Sequence, residues 1–198
     1  MNKSIRIVPR IQVYDFPHRG IRNALSIWIL ETGKTDFQNQ DEWKRLTDLC
    51  FEVFRLLEIH ARDEENVSLS RLSDIDPSYS EKDVRTHVQL ENRVSEIKGI
   101  LGAIEGSDPD SRNESKTEFY NSIIRFQTAY LSHMEEEETQ TQSYLWKEFS
   151  DSQLEDHRKE IMASLSKEDL RLWIRYVAPT LPSEEREKFE SVTRKLLS

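Results

Sequence analysis

The stretch Leu56-Leu-Glu-Ile-His60-Ala-Arg-Asp-Glu64 decides how this chain is read. It closes a segment in which Leu46, Leu49, Val53, Leu56, His60 and Glu64 recur at steps of three and four. That spacing puts side chains on one face of an α-helix. An imidazole and a carboxylate therefore project together from an otherwise apolar seam. The same step returns in His87-Val-Gln-Leu-Glu91 and His133-Met-Glu-Glu-Glu137. Glutamate fills 24 of the 198 positions, so a histidine taken at random meets one four residues on about one time in eight. Three such pairs among five histidines exceed that expectation.

Outward from these pairs the spacing predicts four long amphipathic helices. The first runs from about Phe16 to Thr32, with Asp15 as its cap and His18, Ile21, Leu25 and Trp28 on its seam. The second runs from about Asp41 to Asn66, and a mostly polar connection follows from Ser68 to Tyr79. The third opens on Ser80-Glu-Lys-Asp83, which has the spacing of a capping box, and ends at Gly106. Its seam is Val84, His87, Glu91, Val94, Ile97, Leu101 and Ile104. The fourth follows Ser107-Asp-Pro-Asp110 to about Glu138 or beyond, along Phe119, Ile123, Phe126, Tyr130, His133 and Glu137. Short connections make neighbouring helices antiparallel, so the expected fold is an all-α, up-down-up-down four-helix bundle over residues 15–148. Residues 1–14, with Ile5, Ile7, Ile11 and Val13 alternating, form an N-terminal arm. Residues 149–198 form a C-terminal extension of shorter helices, with Ser152, Ser166 and Ser183 as caps.

In that topology the start of the first and third helices and the end of the second and fourth share one end of the bundle. His18, His60, Glu64, His87, Glu91, His133 and Glu137 then fall in one layer facing inward. Unpaired carboxylates in a core cost several kcal/mol each, and bound metal cations would offset that cost. His157 has no carboxylate four residues on and reads as a surface or packing residue. The acidic run Glu135–Glu138 reads as a mostly solvated face, with Glu137 alone pointing inward. Tyr130, one turn before His133, is a core aromatic or a lining residue of the site. Cys50, among apolar neighbours, reads as an inert buried thiol.

The composition sets the remaining bounds. A formal net charge of −9 without a basic stripe argues against nucleic acid. One cysteine excludes an internal disulfide framework. The first residues lack the apolar run of a signal peptide and no stretch reaches membrane-spanning length, so a cytoplasmic protein with no membrane association is expected.

The order and intervals of these histidines and glutamates resemble the hemerythrin-like, or HHE cation-binding, family over about residues 15–140. The segment from Leu172 to Arg186 is similar to a tail common among its bacterial members. The resemblance implies a non-haem centre of two iron ions, oxo- or hydroxo-bridged. His18 and His60 would hold one iron, His87 and His133 the other, with Glu64 and Glu137 bridging. A small diatomic ligand or peroxide would be the reactant. Oxygen-carrying members have a histidine where this chain has Glu91. A third carboxylate there would favour ferric iron, and with it reaction with or sensing of oxygen, peroxide or nitric oxide over reversible carriage. A peroxidase- or oxidase-type activity and a regulatory module without turnover both remain open. So do two roles for Leu172, Trp173 and Tyr176: packing on the bundle, or forming a surface for a second copy or a protein partner.

Overall fold

Helix boundaries follow from local chemistry. In the computed structural model, which describes residues 10–197, α1 spans Asp15–Lys34, α2 Gln40–Asp63, α3 Ser70–Ile75, α4 Glu81–Glu105 and α5 Pro109–Glu136. α6 (Gln142–Glu148), α7 (Asp151–Ser164), α8 (Lys167–Val177) and α9 (Ser183–Leu197) complete the chain. Asn39 caps α2 by accepting from the Asp41 and Glu42 amides, and Asp108 caps α5 ahead of Pro109. Ser150 and Gln153 form a capping box on α7, and Ser166 caps α8.

Several expected boundaries differ. Asp15 lies inside α1, where its carboxylate pairs with Arg19 at 2.8 Å, and Tyr14 takes the cap position. Ser80 precedes α4 without a side-chain cap bond, its hydroxyl donating instead to the Pro77 carbonyl, and Asp83 is buried and accepts from Thr141 Oγ1 at 2.5 Å. Ser152 and Ser183 are helical residues, the latter the first of α9. The connection after α2 is also largely helical. A π-helical turn, Glu64–Leu69, leads into α3, and a second, Glu137–Thr141, leads from α5 into α6.

The fold is all-α, with α1, α2, α4 and α5 packed in a ring: α1 on α2, α2 on α4, α4 on α5, and α5 on α1. Their seams bury one large core that includes Trp28, Leu46, Val53, Ile97, Phe119 and Phe126. A smaller cluster of Val13, Tyr14, Leu69, Leu72, Leu145 and Leu154 lies beyond the π turns. Residues 10–14 are strapped against it. The Val13 amide donates to Gln142 Oε1 at 2.8 Å, and the Trp146 indole donates to the Ile11 carbonyl at 2.7 Å. The part of the expected arm that holds Ile5 and Ile7 lies outside the described residues.

The C-terminal helices pack on the bundle. α8 lies on α1 and α2, and it buries Trp173 and Tyr176. Close approach depends on Gly20 in mid-α1, since a Cβ there would sit 2.7 Å from Val177 Cγ2. Arg55 grips Asp169 through two hydrogen bonds of 2.9 Å, and the Tyr176 hydroxyl donates to Glu52 at 2.8 Å. Among the described residues, no helix is long and apolar enough to cross a membrane.

Candidate metal centre

Antiparallel packing brings His18 from the first turn of α1 beside His60 near the end of α2. It likewise brings His87 near the start of α4 beside His133 at the end of α5. The His18 and His60 rings meet edge-on at 5.0 Å between centroids, and the His87 and His133 rings at 4.8 Å. Glu64 and Glu137 each open a π turn between the two pairs. Glu64 turns Oε1 toward His60 (3.2 Å) and His18 (3.7 Å) and Oε2 toward His87 (3.4 Å). Glu137 turns Oε2 toward His18 (3.3 Å) and Oε1 toward His133 (3.0 Å) and His87 (3.4 Å). Each carboxylate therefore presents one oxygen to each histidine pair.

All six side chains are buried, and none is more than 4% exposed. Yet the four Nε2 atoms and the four carboxylate oxygens lack a hydrogen-bond partner. They approach within ion-pair distance but are not aligned as donors and acceptors with one another. Buried polar atoms without partners are rare and call for an explanation. Here they converge into two groups, His18, His60, Glu64 and Glu137, and His87, His133 and Glu137, with ligand atoms within 4.8 Å of one another. Each group could hold a metal ion.

The outer nitrogens are engaged differently. His18 Nδ1 donates to Glu138 Oε1 at 2.8 Å, and His87 Nδ1 donates to Glu65 Oε1 at 2.9 Å. The Arg22 guanidinium in turn grips both oxygens of Glu138, at 2.6 and 3.0 Å. Tyr14 stacks on the His18 ring at 5.1 Å, with its buried hydroxyl unpartnered. Tyr130 lies edge-on to His133 at 6.0 Å. Burial, and then Glu64 and Glu137, push its phenol well above the ordinary value.

The buried carboxylates raise two of the four imidazoles. Burial alone would depress His18 and His87, but Glu137, Glu138 and Glu64 outweigh it and raise His18 to about 10. Glu137 and Glu64 likewise raise His87 to about 11. Burial lowers His60 to about 4. Glu137 is held well below the ordinary carboxylate range because the surrounding imidazoles overcome its desolvation. In the metal-free protein His18 and His87 are thus held toward the protonated form beside Glu64 and Glu137, which offsets part of the carboxylate charge. Metal requires neutral imidazole, so its entry must expel the protons on His18 and His87. Each ion's apparent affinity is therefore expected to rise about tenfold per pH unit between about pH 6 and 8, with roughly one proton released per ion. Calorimetry in two buffers of different ionisation enthalpy measures that release, and a pH-independent affinity would contradict it. The sign reverses for the metal-free fold. A raised histidine stabilises it below pH about 6.5, and the contribution fades as the pH climbs toward about 10.

Six of the seven expected ligands meet here, and Glu91 does not. It is exposed and lies outside both groups. The buried seam of α4 is Asp83, His87, Leu90, Ile97, Leu101 and Ile104, so the step inward from His87 is three residues and Glu91 falls on the flank. Glu91 lines a cleft of about 220 Å³ between α2 and α4, together with Leu57, Val94, His87 and Tyr130. Val84, also expected on the seam, is exposed.

Spacing missed Glu65, Glu138, Asp83 and Tyr14. The doubled glutamates Glu64-Glu65 and Glu137-Glu138 carried a signal, since both pairs follow the same three-residue gap after a histidine. Glu138, expected on a solvated face, is half-buried and held down to about 2 by His18 and Arg22 against its burial. His157 is a packing residue, buried edge-on to Phe149 at 4.9 Å. Cys50 is buried and accepts from the Trp28 indole at 3.1 Å, and burial pushes its thiol to about 12.

No family model matches the chain. It is similar to F-box/LRR-repeat protein 5 of Bos taurus, at 23% identity over 185 residues, covering 90% of this chain and 26% of that protein. The protein of that name in Mus musculus is also 23% identical, over 184 residues, with 90% and 25% covered. The chain thus spans about a quarter of the length of the curated relatives it matches.

Proposed function

We propose that this chain is a hemerythrin-like protein whose centre holds two iron ions and reacts with or senses oxygen, peroxide or nitric oxide. One observation carries the reading: eight buried ligand atoms, all unpartnered, converge between two histidine pairs. His18 and His60 would hold one ion and His87 and His133 the other, with Glu64 and Glu137 spanning both. Imidazole and carboxylate donors without thiolate suit iron, and manganese or zinc remain outcomes of the test. Iron would supply redox chemistry toward an oxygen-containing ligand.

The chain's own residues set the terms of that chemistry. Glu64 and Glu137 each present one oxygen to either histidine pair. The α2–α4 cleft reaches His87. Tyr130 walls the cleft, and its phenol stays protonated. Glu91, outside the ligand set, no longer weighs against reversible oxygen carriage.

A second reading is a regulatory module in which metal occupancy, not turnover, is the output. It is favoured by the relatives, which carry the similar stretch as about a quarter of a longer chain. Anaerobic iron loading, metal analysis and then exposure to oxygen and peroxide test both. Two irons per chain and near-ultraviolet absorption of an oxo-bridged pair are expected. Sustained peroxide consumption would favour reaction, and stoichiometric oxidation alone would favour sensing. A chain that retains no metal after desalting would refute both.

A further inference from the structure

We infer that Glu65 and Glu138 are paired positioning residues that aim His87 and His18 at the metal centre, each reaching across to a different helix, α4 or α1. The inference rests on the metal-binding reading above but concerns residues outside its ligand set. Each of these glutamates directly follows a ligand glutamate, Glu64 or Glu137. Each then accepts from the Nδ1 of a histidine on another helix, at 2.9 Å for His87 and 2.8 Å for His18.

The chemistry of the pairing is specific. A buried imidazole ligates metal through one nitrogen only if the other holds the proton, and a carboxylate on that proton fixes both tautomer and ring angle. His18 and His87 are at most 2% exposed, so solvent cannot serve as that partner. Their Nε2 atoms point into the centre without a hydrogen-bond partner. Carboxylate on Nδ1 also raises the electron density at Nε2 and so strengthens its bond to a cation.

The π turns explain why the neighbouring residue can serve. In a regular α-helix, adjacent residues point about 100° apart, so a glutamate beside an inward ligand faces a helix flank. Here the flank of the first π turn meets α4 and the flank of the second meets α1, where His87 and His18 sit. The two braces are not equal. Arg22 grips both oxygens of Glu138, whereas among the described residues no guanidinium is paired with Glu65. Glu138 is therefore the more rigid brace.

Cobalt(II) is the probe, since its visible absorption reports ligand geometry directly. Wild-type protein is compared with Glu65→Gln, Glu138→Gln and the two alanine variants. Each glutamine variant should weaken one cobalt ion by about 10–100-fold and change its absorption bands, with the other ion little altered. Alanine should weaken it further, because glutamine still offers an oxygen to Nδ1. Selectivity between the two ions separates this role from a structural one, since a general loss of structure would weaken both ions alike. Cobalt affinities within twofold of wild type in all four variants would overturn the inference, even with the centre itself intact. So would equal weakening of both ions together with loss of metal-free stability. Wild-type protein that binds no cobalt and no iron would overturn the metal-binding reading and this one with it.

Discussion

Changing Glu137 to glutamine is expected to empty both metal positions at once. Glu137 belongs to both ligand groups, with Oε1 3.0 Å from His133 Nε2 and Oε2 3.3 Å from His18 Nε2. Glutamine keeps the shape but removes the charge, and its NH2 turns hydrogens toward a cation. Loss of an outer hydrogen-bonding partner costs about 10–100-fold in affinity, so loss of a ligand common to both ions should cost each more than about 100-fold. Glu64→Gln should likewise weaken both ions, because Glu64 turns Oε1 toward His60 and His18 and Oε2 toward His87. Iron per chain after desalting is the readout, and Glu137→Gln protein that keeps two irons would sink the idea. Stability should follow. Free metal at about a thousand times its dissociation constant stabilises by about 4 kcal/mol per ion. In a chain of this size that is roughly 8–16 °C in thermal midpoint per ion. The glutamine variant should lose that response to added metal.

The second large effect is expected from Trp28→Ala. Trp28 is fully buried, edge-on to Phe54 at 5.5 Å and to Phe126 at 6.2 Å, with its indole bonded to the Cys50 thiol. Truncation leaves a cavity that surrounding helices cannot close, at a cost of about 3–5 kcal/mol. The expected fall in thermal midpoint is roughly 6–20 °C. Because Trp28 lies about 15 Å along α1 from His18, the ligand set should survive. Thermal melts of metal-free and metal-loaded variant test both parts. A melt within a few degrees of wild type would contradict the packing account, and lost metal binding in a folded variant would contradict the separation of core and centre.

Much of the architecture was legible because helix period and histidine placement agree. Six candidate ligands lie on seams that the spacing of three and four identifies, and their positions along the helices suffice to bring them together. Glu91 was misread because a helix face admits both a three- and a four-residue step. The lower half of α4 settles the choice. Ile104, Leu101 and Ile97, stepped back by sevens, give Ile97, Val94 and Leu90, and then His87 and Asp83. Glu91 is in none of these positions.

The segments beyond the centre were illegible for a different reason. A π turn takes one residue more than an α turn, and one opens at each of Glu64 and Glu137. After Glu64 the buried residues include Leu69 and Leu72, and after Glu137 they include Gln142 and Leu145. From Ser68 to Tyr79, Leu69, Leu72 and Ile75 stand among four serines, Asp74 and Asp76. The first segment therefore reads as a polar connection. The outer carboxylates escaped because seam analysis searches for inward faces, and Glu65 and Glu138 act from the flanks.

The crossed bonds Glu65–His87 and Glu138–His18 also bear on how the chain comes apart. Each joins the α1–α2 hairpin to the α4–α5 hairpin, and each ligand group draws on the same two glutamate-bearing turns or their neighbours. Neither hairpin can open alone without disassembling ligands of the other. Opening of either hairpin is then expected to release bound metal, so that metal retention and global unfolding would follow one cooperative unit.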